Sequence, residues 1–269
     1  MQPANPGYSN LSPKFSHTWL AYVTDYPNNI GSGIHAGYPG TGVTRIVGGG
    51  GGEIYNVNYF NTTTGAFQPD TLDNSQLVRV PASGVVTSYQ RLMPDGGKEI
   101  YALSNGATTY PRLMFLTSIV DPAGNTTTLT YDSSFRLTAV TDAMGRYTSF
   151  TYGLSATPLL ITKIKDYFGR TSTITYDSSN RLSTITDPVN ITSTLTYGES
   201  AEPNFVSELT TPYGNSFFND TNGSNEMRTL LSTDPLGYSS YFFWQLNNQS
   251  ILVLYFQYRY YIYGIQALW

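Results

Sequence analysis

The chain has 269 residues, 40% of them hydrophobic and only 12% charged, with 23 Tyr, 13 Phe, 25 Gly and 15 Pro. That length builds one large β domain or two smaller ones without crosslinks, and the composition favours strands and turns over helices. The net charge of -4, from 14 Lys and Arg against 18 Asp and Glu, comes without a basic run, which argues against nucleic acid as a partner; the absence of cysteine excludes disulfides and thiolate metal sites.

Residues 1–84 read as an N-terminal β segment. Met1 to Asn10 show no cationic region followed by an apolar run, so no Sec-type leader is expected. Gly31-Ser-Gly33-Ile-His35-Ala36 matches a dinucleotide fingerprint in letters, but no strand precedes it and no helix follows, which makes it a loop. Gly48 to Gly52 lacks the Lys-Ser/Thr of a phosphate loop, and Glu53 to Phe60 alternates like a strand.

Residues 85–116 read as a degenerate repeat hairpin, in which Tyr89 to Met93 leads into the turn Pro94-Asp95-Gly96-Gly97 and out through Lys98 to Tyr101. From 117 to 240 a period takes over. Asp121-Pro-Ala-Gly124 is followed by Tyr131-Asp132-Ser-Ser-Phe135-Arg136-Leu137, and Asp166-Tyr-Phe-Gly169 by Tyr176-Asp177-Ser-Ser-Asn180-Arg181-Leu182. Asp142-Ala-Met-Gly145 with Tyr152 and Asp187-Pro-Val-Asn190 with Tyr197 complete four units, stepping by 21, 24 and 21 residues. The longer step marks an insertion near Thr157 to Leu160, and weaker copies follow at Pro212-Tyr-Gly214-Asn215 and Asp234-Pro-Leu-Gly237.

Asp-Pro-x-Gly is the signature of a type I turn with Asp first, Pro second and Gly fourth. Between turns, strict alternation places Leu129, Phe150, Ile174 and Leu195, with Tyr131, Tyr152, Tyr176 and Tyr197, on one apolar face. Threonines such as Thr128 and Thr130 line the other. The expected fold is all-β, with antiparallel β-hairpin repeats laid into a long curved sheet. Residues 241–269 form an aromatic tail; Gln257, Arg259 and Gln266 interrupt its apolar run, so a buried strand pair or an out-of-frame tail is expected there and a membrane span is not.

The chemistry tested against these residues finds little. His17 and His35 are the chain's two histidines, with no ligand spacing between them, no Gly-x-Ser-x-Gly elbow occurs, and no cofactor is implied. The repeated aspartates could suggest paired glycosidase carboxylates, but residues repeated in register at turns have a structural reason to recur.

Tyr-Asp-x-x-x-Arg-Leu followed by Thr-Asp, in two close copies, resembles the YD repeats of the RHS family, which includes bacterial polymorphic toxins, the C component of insecticidal toxin complexes and, distantly, teneurins. The segments Leu11 to Leu20 and Leu92 to Tyr101 are similar to the region that precedes such repeats. The resemblance implies a hollow shell of hairpins around a C-terminal toxin or effector, secreted or at the cell surface. It implies a chain that is packaging and not an enzyme, whose partners are the remainder of the shell and the enclosed effector. Phe135, Asn180 and Asn190 stand where the family has Gly; Asn tolerates positive φ and Phe does so poorly, so Phe135→Gly is expected to be neutral or stabilising. No Asp-Pro-x-Gly-Leu cleavage sequence or toxin domain follows, which suggests a fragment of the shell. A carbohydrate-binding adhesion module that uses exposed aromatics is the alternative function.

Overall fold

The computed structural model describes all residues except 1–10, 28–41, 48–50, 56–58, 199–201, 223–226, 248–249 and 259–269. The Gly31 to Ala36 segment, His35 and the first residues of the Gly48 to Gly52 loop lie outside the described residues, as does the end of the aromatic tail. Every strand pairing is antiparallel, and no α-helix occurs among the described residues. The all-β, antiparallel hairpin architecture is therefore as expected. The chain divides into two units, Met1–Thr171 and Ser172–Trp269, a division that falls inside the repeat array.

The first unit is organised around one strand. β1 (Tyr22–Asp25), β2 (Val43–Ile46) and β3 (Gly52–Tyr55) pair in order. β4 (Gln76–Val80), β5 (Ser88–Leu92) and β6 (Lys98–Ser104) form a second meander. The nine-residue β7 (Arg112–Val120) joins them, because β6 occupies one of its edges along most of its length, from Lys98↔Val120 to Ser104↔Met114. A strand has only two edges, so the other is shared. Its first half carries β1, at Asp25↔Arg112 to Tyr22↔Phe115, and its second half carries β8 (Thr126–Tyr131), at Ser118↔Thr128 to Val120↔Thr126. β7 is thus the branch point from which the repeats leave the N-terminal sheet.

The N-terminal strands curl until side chains separated by two intervening strands touch. Arg45 on β2 reaches Glu99 on β6 at 2.8 Å, and Tyr89 on β5 reaches Asp25 on β1 at 2.6 Å. The core inside this curl holds Val23, Val43, Phe67, Leu77 and Met114, all at most 2% exposed.

From β8 the chain runs as sequential hairpins through β9 (Leu137–Thr141), β10 (Tyr147–Thr151) and β11 (Lys163–Lys165). Directly paired residues share a face, so the register Leu129↔Val140, Val140↔Thr148 and Phe150↔Ile164 places Leu129, Val140, Phe150 and Ile164 on one side. That side is covered. His17 stacks on Phe150 at 6.0 Å, and Leu129, Val140 and Phe150 are buried.

The second unit continues with β12 (Thr171–Tyr176), β13 (Leu182–Thr186), β14 (Thr192–Thr196), β15 (Glu208–Thr211) and β16 (Gly214–Asn222). β17 (Met227–Thr233), β18 (Ser239–Asn247) and β19 (Ser250–Tyr258) follow, each paired with the one before. Ile174↔Ile185, Ile185↔Ser193 and Leu195↔Leu209 repeat the shared face. Here it is less covered: Ile174 is buried, but Ile185 is 38% exposed. The described part of the aromatic tail enters as β19, hairpinned onto β18.

Candidate functional site

The turns that link the repeat strands share one geometry. In the turn at Asp132, the Asp132 amide donates to the Arg136 carbonyl at 3.0 Å and the Phe135 amide donates to the Asp132 carbonyl at 3.0 Å. This is a three-residue loop built on a type I turn, closed by a residue at positive φ. The same two backbone bonds recur at Asp121, Asp142, Asp166, Asp177, Asp187 and Asp234. The closing residues are Gly124, Phe135, Gly145, Gly169, Asn180, Asn190 and Gly237, all at φ between 59° and 89°. The Tyr-Asp turns and the Asp-Pro-x-Gly turns are one structural element in two sequences.

Each turn aspartate accepts bonds from its own loop, on both oxygens in Asp121, Asp132, Asp142, Asp166 and Asp177. Asp132 Oδ1 accepts from the amides of Ser134 and Arg136 at 2.9 and 3.0 Å, and Oδ2 accepts from Arg136 Nε at 2.7 Å. Asp177 repeats this with Ser179 and Arg181, and Asp142 with Met144 and Arg146. Asp166 bonds the Arg170 amide and Nε, whereas Asp121, lacking an arginine, takes Asn125 Nδ2 on Oδ2 at 2.8 Å. Partial burial pushes the Asp132 carboxyl up, but the Arg136 amide and guanidinium outweigh it and the net direction is down. Asp177 follows the same balance with Arg181. In Asp142 the Arg146 side chain is the largest influence and lowers the pKa directly.

Consecutive repeats are tied by the tyrosines and arginines of the motif. Tyr131 Oη donates to the Leu116 carbonyl at 2.7 Å, Tyr152 to Leu137 at 2.9 Å and Tyr197 to Leu182 at 2.7 Å, each spanning 15 residues. The guanidinium of Arg136 lies 4.9 Å from the centre of the Tyr152 ring, and that of Arg181 lies 4.4 Å from the Tyr197 ring. Their Nη1 atoms donate to the Pro158 carbonyl at 2.9 Å and the Pro203 carbonyl at 2.5 Å. In Tyr-Asp-x-x-x-Arg-Leu, Asp closes the turn, Arg clamps Asp and carries the next Tyr, and the Leu carbonyl receives that Tyr. Leu137 and Leu182 are themselves buried.

The matching stretch decides what this element is. Residues 115–143, from β7 through the Asp142 turn, match the family model described as RHS Repeat. That stretch is an RHS repeat. A comparison with curated proteins finds no match. Among solved structures, the crystal structure of TcdB2-TccC3-TEV aligns over 93% of this chain and 21% of its own, at 8% identity and a TM-score of 0.18. The chain thus spans about a fifth of that structure's length.

Phe135 combines two roles in the RHS repeat. Its φ of 59° places it at the turn position where Gly or Asn is usual. Its ring stacks on Phe115 at 5.7 Å and 13°, against the core of Leu20, Tyr22 and Phe115. Contact with the branch strand thus opposes the backbone strain, and the expectation that Phe135→Gly is neutral or stabilising no longer follows from φ alone.

A second polar cluster sits inside the N-terminal curl, away from the repeat. Asp25 is fully buried and accepts from Tyr89 Oη at 2.6 Å and Arg112 Nε at 2.8 Å, with Arg112 Nη2 completing a fork. Burial, followed by the Asp25 charge, holds the Tyr89 phenol well above its ordinary pKa, so it stays a donor. Beside it, Arg45 bonds Tyr101 Oη at 2.7 Å, Glu53 at 2.9 Å and Glu99 at 2.8 Å; Tyr101 and Tyr55 donate to Glu99 and Glu53; and Arg91 bonds Ser75, Asp73 and Glu99. The signal was present in the sequence. Asp25, Arg45, Arg79, Arg91 and Glu99 each stand two residues from a buried Val, Leu or Tyr of their own strand, on the inward side of the alternation. Among the described residues, no group of three or more His, Asp and Glu could hold a metal ion.

Proposed function

We propose that this chain is a structural, non-catalytic segment of an RHS shell, and that in the longer protein such a shell encloses a C-terminal toxin or effector outside the producing cell or at its surface. The observation that carries the reading is that the polar groups of the repeat motif are used up in holding the repeat together. Asp carboxylates cap their turns, Arg guanidiniums bridge to the next Tyr, and the Tyr hydroxyls of three units are bonded to carbonyls 15 residues earlier. A carboxylate engaged on both oxygens by its own loop is poorly placed to move protons for a substrate. The domain boundaries at 84, 116 and 240 describe the same reading: a leading β segment, a first degenerate hairpin, the array and its aromatic extension.

The gene downstream of this chain tests the reading. A shell segment is expected to be followed by further Tyr-Asp turns at steps of 21 to 24 residues and then by an unrelated effector domain. An unrelated enzyme or transport domain with no further repeat would contradict it. In the intact protein, added protease should spare the effector until the shell is opened.

A further inference from the structure

The Asp turns make one loop, but the residue two places after the Asp differs in kind. It is Ser134 and Ser179 in the Tyr-Asp turns and Ala123, Met144, Phe168, Val189 or Leu236 in the others. Serine makes the loop as well as an apolar residue does, so the turn itself requires neither. In the second unit the apolar choice falls at one end of the strands. The closing pairs Thr186↔Thr192, Thr211↔Gly214 and Thr233↔Ser239 mark three turns at that end, whereas Thr196↔Glu208 and Asn222↔Arg228 close the other. The three tips read Pro188-Val189-Asn190, Pro212-Tyr213-Gly214 and Pro235-Leu236-Gly237. Val189 is 71% exposed, Tyr213 81% and Leu236 80%, while the Asp177 turn at the opposite end shows Ser178 and Ser179 to water.

Two strands separate each tip from the next, which sets the tips about 10 Å apart. The registers Thr194↔Thr210 and Phe217↔Thr233 bring them level, and a Cβ added at Gly214 would meet Pro235 at 2.7 Å, so the second and third turns abut. The backbone of the tips is already prepared to lose water. Their prolines have no N–H to satisfy. The amides of Val189 and Ile191 both donate to Asp187 Oδ1 at 2.9 Å, and those of Leu236 and Tyr238 donate to Asp234 Oδ1 at 2.9 and 2.8 Å. The Asn190 and Gly237 amides donate to the carbonyls of the same aspartates at 3.1 and 3.0 Å. In the middle turn the Tyr213 amide donates to Thr211 Oγ1 at 3.2 Å, and that hydroxyl donates to the Gly214 carbonyl at 3.1 Å. Every amide from 188 to 191 and from 235 to 238 is thus met within its own turn, and taking these tips out of water strands no donor there.

We propose that this row of tips is a membrane-docking edge, in which Val189, Tyr213 and Leu236 enter the boundary between headgroups and acyl chains of a lipid bilayer. Ile191 and Tyr238, 37% and 41% exposed, follow directly behind the tips. Tyrosine suits that depth because its ring is apolar and its hydroxyl polar. A protein partner would need three separate pockets at matched spacing, whereas a bilayer accepts isolated apolar side chains wherever they stand. The three turns hold Asp187 and Asp234 and no Lys or Arg, so anionic headgroups would repel the edge and the surface it fits is zwitterionic, of the phosphatidylcholine kind. The chain would rest on such a surface by its tips without crossing it. Val189, Tyr213 and Leu236 are no part of Tyr-Asp-x-x-x-Arg-Leu, so this role goes beyond that of the shell, and its failure would leave the shell reading standing.

The test is flotation of the full chain with vesicles of phosphatidylcholine, and with vesicles of phosphatidylcholine mixed with phosphatidylserine, for the parent and for Val189→Ser/Tyr213→Ser/Leu236→Ser. Serine already occupies the matching position in the Asp132 and Asp177 turns, so the melting temperature should not change. The parent should float with phosphatidylcholine, no better with the mixed vesicles, and salt should not release it; the triple variant should bind about tenfold more weakly or worse. A second readout needs no loss of binding: the fluorescence of Leu236→Trp should be quenched by brominated phosphatidylcholine beyond any quenching seen in the parent. A parent that stays unbound, a variant that floats equally well, binding confined to the anionic vesicles and reversed by salt, or an unquenched Leu236→Trp each overturns the proposal. A parent that ignores vesicles but loses self-association on the triple substitution overturns it too, and would assign the tips to a second copy of the chain.

Discussion

At the scale of the residue, the repeat shows how few groups are needed to lock one hairpin to the next. Tyr131, Tyr152 and Tyr197 each donate a hydroxyl hydrogen to a carbonyl 15 residues earlier. Substituting any one with Phe removes that bond while keeping the ring, and is expected to cost about 1 kcal/mol in a urea melt. Phe135→Gly sets two terms against each other. Relief at φ 59° favours Gly by up to about 1 kcal/mol, while loss of a half-buried ring stacked on Phe115 costs more, since a Phe truncation in a full core costs roughly 3–5 kcal/mol. A net destabilisation of about 1–2 kcal/mol is expected, and Phe135→Asn, which keeps the tolerance for positive φ but not the ring, should be destabilised similarly. The Asp25–Arg112 fork is the costliest single target: Arg112→Leu leaves a buried carboxylate unpaired and should lose about 3–5 kcal/mol by the same melt.

At the scale of the element, the turns were the most legible part of the sequence. Asp-Pro-x-Gly names its geometry directly, and the alternation between turns predicts the shared face that the register shows for Leu129 and Phe150 in the first unit and for Ile174 and Leu195 in the second. That Tyr-Asp-x-x-Phe-Arg is the same loop was legible only through the family resemblance, because the αL position is read through Gly or Asn and Phe135 hides it. The N-terminal strands were the hardest to read. Their stabilising contacts join residues as far apart as Asp25 and Arg112, and no period links them. The branching at β7 is likewise a property of one edge shared by two strands, which local pattern cannot show.

The turn carboxylates also make a pH prediction at this scale. The folded pKa of Asp132, Asp142 and Asp177 lies below the ordinary carboxylate value. Their contribution is therefore complete above the unfolded pKa, about 3.9, and is lost as pH falls through the lower folded value. Thermal melts followed by circular dichroism should hold steady down to about pH 4 and fall below it. Asp177→Asn should flatten part of that fall; an unchanged profile would show that the turn carboxylates do not set it.

At the scale of the whole molecule, the two units bury their repeat faces unequally. In the first, the segment carrying His17 and Trp19 lies over the strands, and Leu129, Val140 and Phe150 are buried. In the second, Ile185 is 38% exposed and Leu195 and Leu209 are only half-buried. An array that leaves apolar strand residues uncovered is prone to associate through them. Dilute light scattering is expected to show self-association that Ile185→Lys reduces, and a broad screen is expected to show no hydrolase, nuclease or transferase turnover. A stable monomer with measurable turnover would contradict the shell reading.

The central claim is that the motif's residues act on one another across consecutive repeats, and a double-mutant cycle measures that interaction alone. Arg136→Ala and Tyr152→Leu each remove one side of the contact in which the guanidinium lies 4.9 Å from the ring centre. Unfolding free energies of the parent, the two single variants and the double variant should give a coupling of about 0.5–1 kcal/mol. Additive effects, with no coupling outside error, would contradict the account.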